Sequence, residues 1–274
     1  MFSRIESIIR AITVIGVSIS FRVTNTKKGM AVNKKILIVA FTTLMSEPSM
    51  AQSKFEGFFG QIATGYESNQ FSSTSIAGSQ LGIDETWTSD SETANGIPLI
   101  IGLSYNYSVA PKWLIGLGAD YSALSQETST YKSTRTTDSS FTDLAKLQTS
   151  NRVSVFVSTG YEIDGDKLVY LKTGYSMINI KNTYPTYLTD LVCSGCSGNF
   201  GYINGEIQNN TVGGYVVGLG YKQIIKSGLY GFAEVNYMSY SKPSFSATTI
   251  SLYNFSSAPS LNTYQFLTGV GYRF

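Results

Sequence analysis

Histidine is absent from this chain. Its absence excludes imidazole acid–base chemistry, imidazole metal ligands and a Ser-His-Asp triad. Charge is also scarce, at 14% of residues against about 25% in an ordinary globular chain. There are only two Cys and six Pro. Two thiolates without any imidazole fall short of the four ligands of a structural zinc site. No Gly-rich phosphate loop, calcium loop or repeated binding motif is present. Beyond residue 51 no apolar run is longer than one strand, which argues against helical membrane spans. No cofactor and no metal are expected, and no enzyme. Without His, a general base at neutral pH would need a perturbed carboxylate or Lys, and no residue stands out for that role.

What is abundant points to strands. The chain has 26 Gly and 19 Tyr, and 42% of its residues are hydrophobic. Many strands joined by polar loops fit such a mixture, and few helices do. Residues 30–51 read as a secretory signal peptide. Asn33, Lys34 and Lys35 are followed by an apolar core to Leu44 and by Ser49-Met50-Ala51. Residues 1–29 read as a mis-annotated or extended leader, and residues 52–274 as the mature domain. From Gln52 onward there are 13 basic and 16 acidic residues, a net charge of -3. No basic patch directs the chain to nucleic acid.

The final stretch, Thr263 to Phe274, has a period of two, with a mostly apolar or aromatic face and a small or polar one. Tyr264, Phe266, Thr268, Val270, Tyr272 and Phe274 fall on one parity, and Gln265, Leu267, Gly269, Gly271 and Arg273 on the other. An exposed aromatic edge invites aggregation, and closing a barrel removes the edge. The same alternation recurs through Phe58–Tyr66, Ile97–Tyr107, Trp113–Ala123, Val153–Ile163, Val169–Met177, Gly213–Tyr221 and Leu229–Tyr237. Tight turns are expected at Pro111, at Asp164-Gly165-Asp166-Lys167 and at Lys226-Ser227-Gly228. Between them lie polar stretches from Ser68 to Ala94, Ser125 to Ser150, Ile178 to Asn210 and Ser241 to Leu261, read as long loops. Long and short connections therefore alternate. The expected fold is all-β, an eight-stranded antiparallel up-and-down transmembrane β-barrel.

Aromatic residues cluster at the ends of the apolar faces, with aliphatic residues and Thr between. Two aromatic girdles around an apolar band suit a bilayer. The opposite face carries Glu67, Asp120, Glu162 and Glu234 with Arg152, Lys172, Lys222 and Arg273. These eight are expected to form a lumen charge network, because a buried charge without a partner is costly.

On these features the chain resembles the small eight-stranded outer-membrane barrels of Gram-negative bacteria, the OmpA-like, OmpX-like and opacity-like porin superfamily. Gly269-Val270-Gly271-Tyr272-Arg273-Phe274 looks like the terminal strand that the barrel-assembly machinery recognises. The resemblance makes Val270, Tyr272 and Phe274 the assembly signal and the bacterial outer membrane the location. Outer-membrane lipid, lipopolysaccharide and the barrel-assembly machinery are the implied partners. It also implies adhesion, immune evasion or envelope stability, and does not choose among them. The carboxy-terminal peptidoglycan-binding domain of the full OmpA architecture has no counterpart here.

Cys193-Ser194-Gly195-Cys196 falls in the longest polar stretch. A local disulfide, a redox-active pair and a metal site are the alternatives, and an oxidising compartment favours the disulfide. The function expected is an envelope-structural or surface-interaction role, carried by long extracellular loops that contact an extracellular or host surface ligand. The alternative is a narrow porin-like channel for small solutes or ions.

Overall fold

Alternation of apolar and polar side chains drives almost all of the described chain into strands. A computed structural model describes residues 53–80, 83–136, 141–184, 187–188, 200–204, 207–249 and 254–274. The first strands are β1 (Gly57–Phe71), β2 (Ser75–Gln80), β3 (Ile83–Ser89), β4 (Glu92–Gly96), β5 (Leu99–Ala110) and β6 (Trp113–Ser122). Next come β7 (Gln126–Glu127), β8 (Tyr131–Arg135), β9 (Phe141–Asp164), β10 (Lys167–Thr183), β11 (Tyr187–Leu188) and β12 (Phe200–Asn204). The last are β13 (Ile207–Lys226), β14 (Leu229–Tyr240), β15 (Phe245–Thr249), β16 (Asn254–Ser257) and β17 (Leu261–Arg273). The expected leader, the signal peptide and the Cys193–Cys196 pair lie outside the described residues.

The expectation of an eight-stranded up-and-down barrel is overturned: the hydrogen-bonded sheet holds 17 strands. The resemblance to the small eight-stranded OmpA-like, OmpX-like and opacity-like barrels fails on the same count. Stretches expected to be loops contribute β2, β3, β4, β7, β8, β11, β12, β15 and β16, and they lengthen β1, β9, β10 and β13. Their Ser and Thr content reads as loop. Yet Ser75-Ile76-Ala77 and Thr86-Trp87-Thr88 alternate as strands do, with Ile76 and Trp87 buried and their neighbours exposed.

Two tiers result. In the lower tier, pairings run from β1 to β5, β6, β9, β10, β13, β14 and β17, and β17 pairs again with β1. In the upper tier, pairings run β12, β15, β16, β2, β3, β8, β9 and do not return to β12 among the described residues. Every one of these pairs is antiparallel. β9 shows the height involved. Its 24 residues at about 3.3 Å each reach about 80 Å along the strand. With a tilt near 40° that is a rise of about 60 Å, more than twice the ~25 Å apolar band of an outer-membrane barrel.

The two tiers have opposite polarity. Below, Ile62, Leu103, Leu117, Val155, Leu171, Leu219 and Phe266 are exposed, while Arg152, Lys172, Ser176 and Glu234 are buried inside. Above, Phe71, Ile76, Trp87, Leu147, Ile178, Ile180, Phe245 and Leu261 form a buried core, and Ser75, Thr86, Thr88, Ser246 and Ser256 face outward. β10 crosses the change in one stride: Leu171, Tyr175 and Met177 point out, then Ile178 and Ile180 point in. Burying such an Ile removes apolar surface from water and stabilises by roughly 1.5–3 kcal/mol. Below the change the same driving force is met by lipid outside the wall. A continuous exposed apolar belt of this extent is foreign to water-soluble monomers.

A bulge helps β9 make the crossing. Asn151 has φ 49°, and the register with β10 slips between Met177 and Asn179. Below it Arg152, Ser154 and Phe156 are buried, and above it Thr149, Leu147 and Ala145. The extra residue re-aims the inward parity by one position.

Candidate functional site

Strand register brings the charged side chains to the inner wall. Lys172 lies opposite Gly218 on β13, and Tyr170 lies opposite Gly220. A methyl group on Gly220 would strike the Tyr170 ring, and one on Gly218 would strike the Asn236 amide. These glycines leave the space that the larger inward side chains fill.

The inner wall is layered. Nearest the tight turns, Phe55, Phe59, Leu114, Leu168, Tyr170, Tyr230 and Phe232 form an apolar layer. Next comes the first charge group. Lys172 Nζ contacts Asp120 Oδ2 at 2.9 Å and Glu234 Oε1 at 2.7 Å. The Tyr170 hydroxyl donates to Glu234 Oε2 at 2.7 Å, and Asn236 Nδ2 donates to Glu234 Oε1 at 2.7 Å. Lys172 also sits 4.4 Å from the centroid of the Phe156 ring.

The second charge group is the Glu67–Arg152 pair. Arg152 Nη1 donates to Glu67 Oε1 at 2.9 Å, and Arg152 Nη2 contacts Glu67 Oε2, so the contact is bidentate. Asn69 Nδ2 donates to Glu67 Oε1 at 2.9 Å, and Gln265 Nε2 to Glu67 Oε2 at 2.5 Å. Asn236 Nδ2 reaches Gln265 Oε1 at 3.2 Å and ties the two groups together. Asn69 extends the network to Gln126 at 2.5 Å and accepts from Thr263 at 2.6 Å. Above it lies the apolar core of the upper tier.

Lys222 is buried but stands apart from both groups. Its ammonium lies 5.2 Å from the Phe59 ring, 5.1 Å from Tyr170 and 5.2 Å from Tyr230. A desolvated ammonium among aromatic faces is held by cation–π attraction. Beside it is a cavity of about 20 Å³ whose lining includes Gln61, Asn106, Ser158 and Glu234. That is room for about one water.

Six of the eight residues expected in a lumen network thus lie on the inner wall: Glu67, Asp120, Arg152, Lys172, Lys222 and Glu234. Glu162 and Arg273 join neither group. Glu162 Oε2 accepts from Ser53 Oγ at 2.5 Å, and Arg273 Nη1 donates to the Lys54 carbonyl at 2.7 Å. Asn106 Nδ2 donates to the Phe55 carbonyl at 3.1 Å, and the Phe55 ring is fully buried in the apolar layer. Both residues therefore hold the segment before β1 at the tight-turn mouth, where the strand ends run out of inner wall. The neutral partners Asn69, Gln126, Asn236 and Gln265 were missed. Asn69 and Gln126 fall in stretches that read as loop. Asn236 and Gln265 lie at inward positions of β14 and β17 that the period-two pattern does mark.

Residues 37–274 match the family described as the outer membrane protein beta-barrel domain. The chain belongs to that family. As an outer-membrane β-barrel protein it resides in the bacterial outer membrane, among membrane lipids. Among solved structures it is similar to Ail, the attachment invasion locus protein of Yersinia pestis, with 14% identity over 80% of this chain and 99% of that one and a TM-score of 0.36. OprG of Pseudomonas aeruginosa is 16% identical over 80% of this chain and 96% of its own, with a TM-score of 0.42. The outer membrane protease OmpT of Escherichia coli is 8% identical over 82% of this chain and 99% of its own, also at 0.42. Likenesses this remote carry no argument about function. No curated protein matches the sequence.

In an outer-membrane β-barrel protein the short turns face the periplasm and the long connections face outward. The upper tier is then extracellular. Val270, Tyr272 and Phe274 project from the lipid-facing wall at the periplasmic end, 50%, 49% and 76% exposed. Tyr215, Tyr237 and Tyr264 form an outward row just below the change of polarity, with ring centroids 6.1 and 5.2 Å apart. Such rings mark the outer membrane–water interface.

Proposed function

We propose that the protein works at the cell surface, as a scaffold whose upper tier meets external partners, and that it is neither a channel nor an enzyme. The observation that carries this reading is the filled inner wall. An apolar layer, two ion-paired charge groups and a second apolar core follow one another from the periplasmic to the extracellular end. The space beside Lys222 holds about one water, which supports a packed lumen over a solute path. The buried acids and bases of the two groups are engaged with one another, and the chain has no His, which supports a structural role for these charges.

The upper tier supports the positive half of the proposal. Its wall is hydrogen-bonded strand backed by its own apolar core, and it carries exposed Ser75, Thr86, Thr88, Asn254, Ser256 and Ser246 on adjoining strands. Polar groups on a fixed frame bind with little loss of conformational freedom. The test is retention of bacteria on epithelial cell monolayers. Cells displaying the protein should be retained, and cells whose β2–β3 and β15–β16 hairpins are cut back to short turns should be released. Equal retention by both, with equal surface display, would refute the proposal.

A further inference from the structure

At the periplasmic end an open cleft of about 780 Å³ is lined by Lys54, Lys226 and Arg273, with Asp166 as its one acidic side chain. Its apolar lining includes Ile225 and Phe274, which are 64% and 76% exposed. The walls are four separate pieces of chain, joined by three hydrogen bonds. Ile224 N donates to Asp166 O at 2.8 Å, joining β13 to the β9–β10 turn. Arg273 N donates to Gly228 O at 2.8 Å, joining β17 to the β13–β14 turn. Arg273 Nη1 donates to Lys54 O at 2.7 Å and brings in the segment before β1. The cations are therefore gathered on a tied frame and not on free loops.

We infer that this cleft binds the phosphate headgroup of a phospholipid in the periplasmic leaflet. Three features select that occupant. The basic side chains outnumber the acidic one, so an anion is favoured. The cleft opens beside the lipid-facing wall, where exposed Leu229, Val270 and Tyr272 continue the apolar surface, so an amphiphile can keep its chains in the bilayer while its phosphate enters. The aromatic pairs Trp113–Tyr161 and Tyr272–Phe274, with centroids 5.1 and 5.4 Å apart, mark this end as a membrane interface, the depth at which headgroups lie. Arg273 keeps donors beyond the one committed to Lys54, and guanidinium and ammonium groups together suit a phosphodiester.

The test is lipid selectivity of the protein reconstituted in phosphatidylcholine vesicles, read by electron spin resonance of spin-labelled phosphatidylglycerol against spin-labelled phosphatidylcholine. The wild-type protein is expected to immobilise phosphatidylglycerol preferentially. Each Lys or Arg near the membrane surface contributes about a fivefold preference for anionic lipid. The Lys54→Ala/Lys226→Ala protein should therefore lose about twentyfold of the preference, and Lys226→Glu alone should lose more than Lys226→Ala. No preference in the wild type, or the same preference in all variants, overturns the assignment. Displacement by millimolar inorganic phosphate would also overturn it, because the site would then serve a soluble anion without acyl chains.

Discussion

Replacing Arg152 by Met removes one half of the most enclosed ion pair on the inner wall. The side chains of Arg152 and Glu67 are 4% and 3% exposed, so water cannot substitute for the lost partner. Glu67 would keep the amide donors of Asn69 and Gln265 and lose both guanidinium contacts. Breaking a buried pair from one side costs about 3–5 kcal/mol, most of it the burden of the orphaned charge. Glu67→Gln removes that charge, so Arg152→Met combined with Glu67→Gln should recover most of the loss. A double-mutant cycle measured by urea unfolding in lipid vesicles should give a coupling of at least about 2 kcal/mol, well above the ~0.3–0.5 kcal/mol expected of independent sites. Additive losses would refute the argument that each group exists to neutralise the other.

The remaining predictions probe the layers on either side. Phe55→Ala empties a fully enclosed ring site and should destabilise the barrel by about 3–5 kcal/mol in the same assay. Gly220→Leu drives a side chain into the Tyr170 ring and should cost about 1–3 kcal/mol or more, while Gly231→Ala, where the nearest atoms lie at 3.7 and 3.9 Å, should fold normally. On β10, Leu171→Arg puts a charge on the lipid face and should cost up to about 2–4 kcal/mol. Lys181→Asp, on the outward face of the upper tier, should change stability by no more than about 0.5 kcal/mol.

How far the sequence could be read depends on which solvent faces each strand. Below the change of polarity the apolar residues point at lipid on a constant parity. Leu171, Thr173, Tyr175 and Met177 could therefore be assigned to one face from the sequence alone. At Ile178 the outer solvent becomes water, and the apolar parity moves to the other face. A search for one unbroken parity ends the strand there, although the backbone runs on to Thr183. On β9 the bulge at Asn151 cancels that change in the sequence, so Leu147 and Ala145 keep the odd parity of Val153 and Val155, and the polar run from Gln148 to Arg152 is what hides the continuation of the strand. The charge groups were legible as inward positions, but not their membership. Lys172 and Glu234 meet only because β10 and β14 both flank β13. Glu162 and Arg273 share the inward parity, yet they sit at the strand ends, where the segment before β1 claims them.

The filled lumen is the claim on which the surface role rests, and single-channel recording of the refolded chain spanning 52–274 in a planar bilayer tests it most directly. The packed layers predict a flat trace at all voltages from protein that is demonstrably folded and inserted. Discrete openings that vanish when Lys172 or Arg152 is replaced would contradict it and make the inner wall a conducting path.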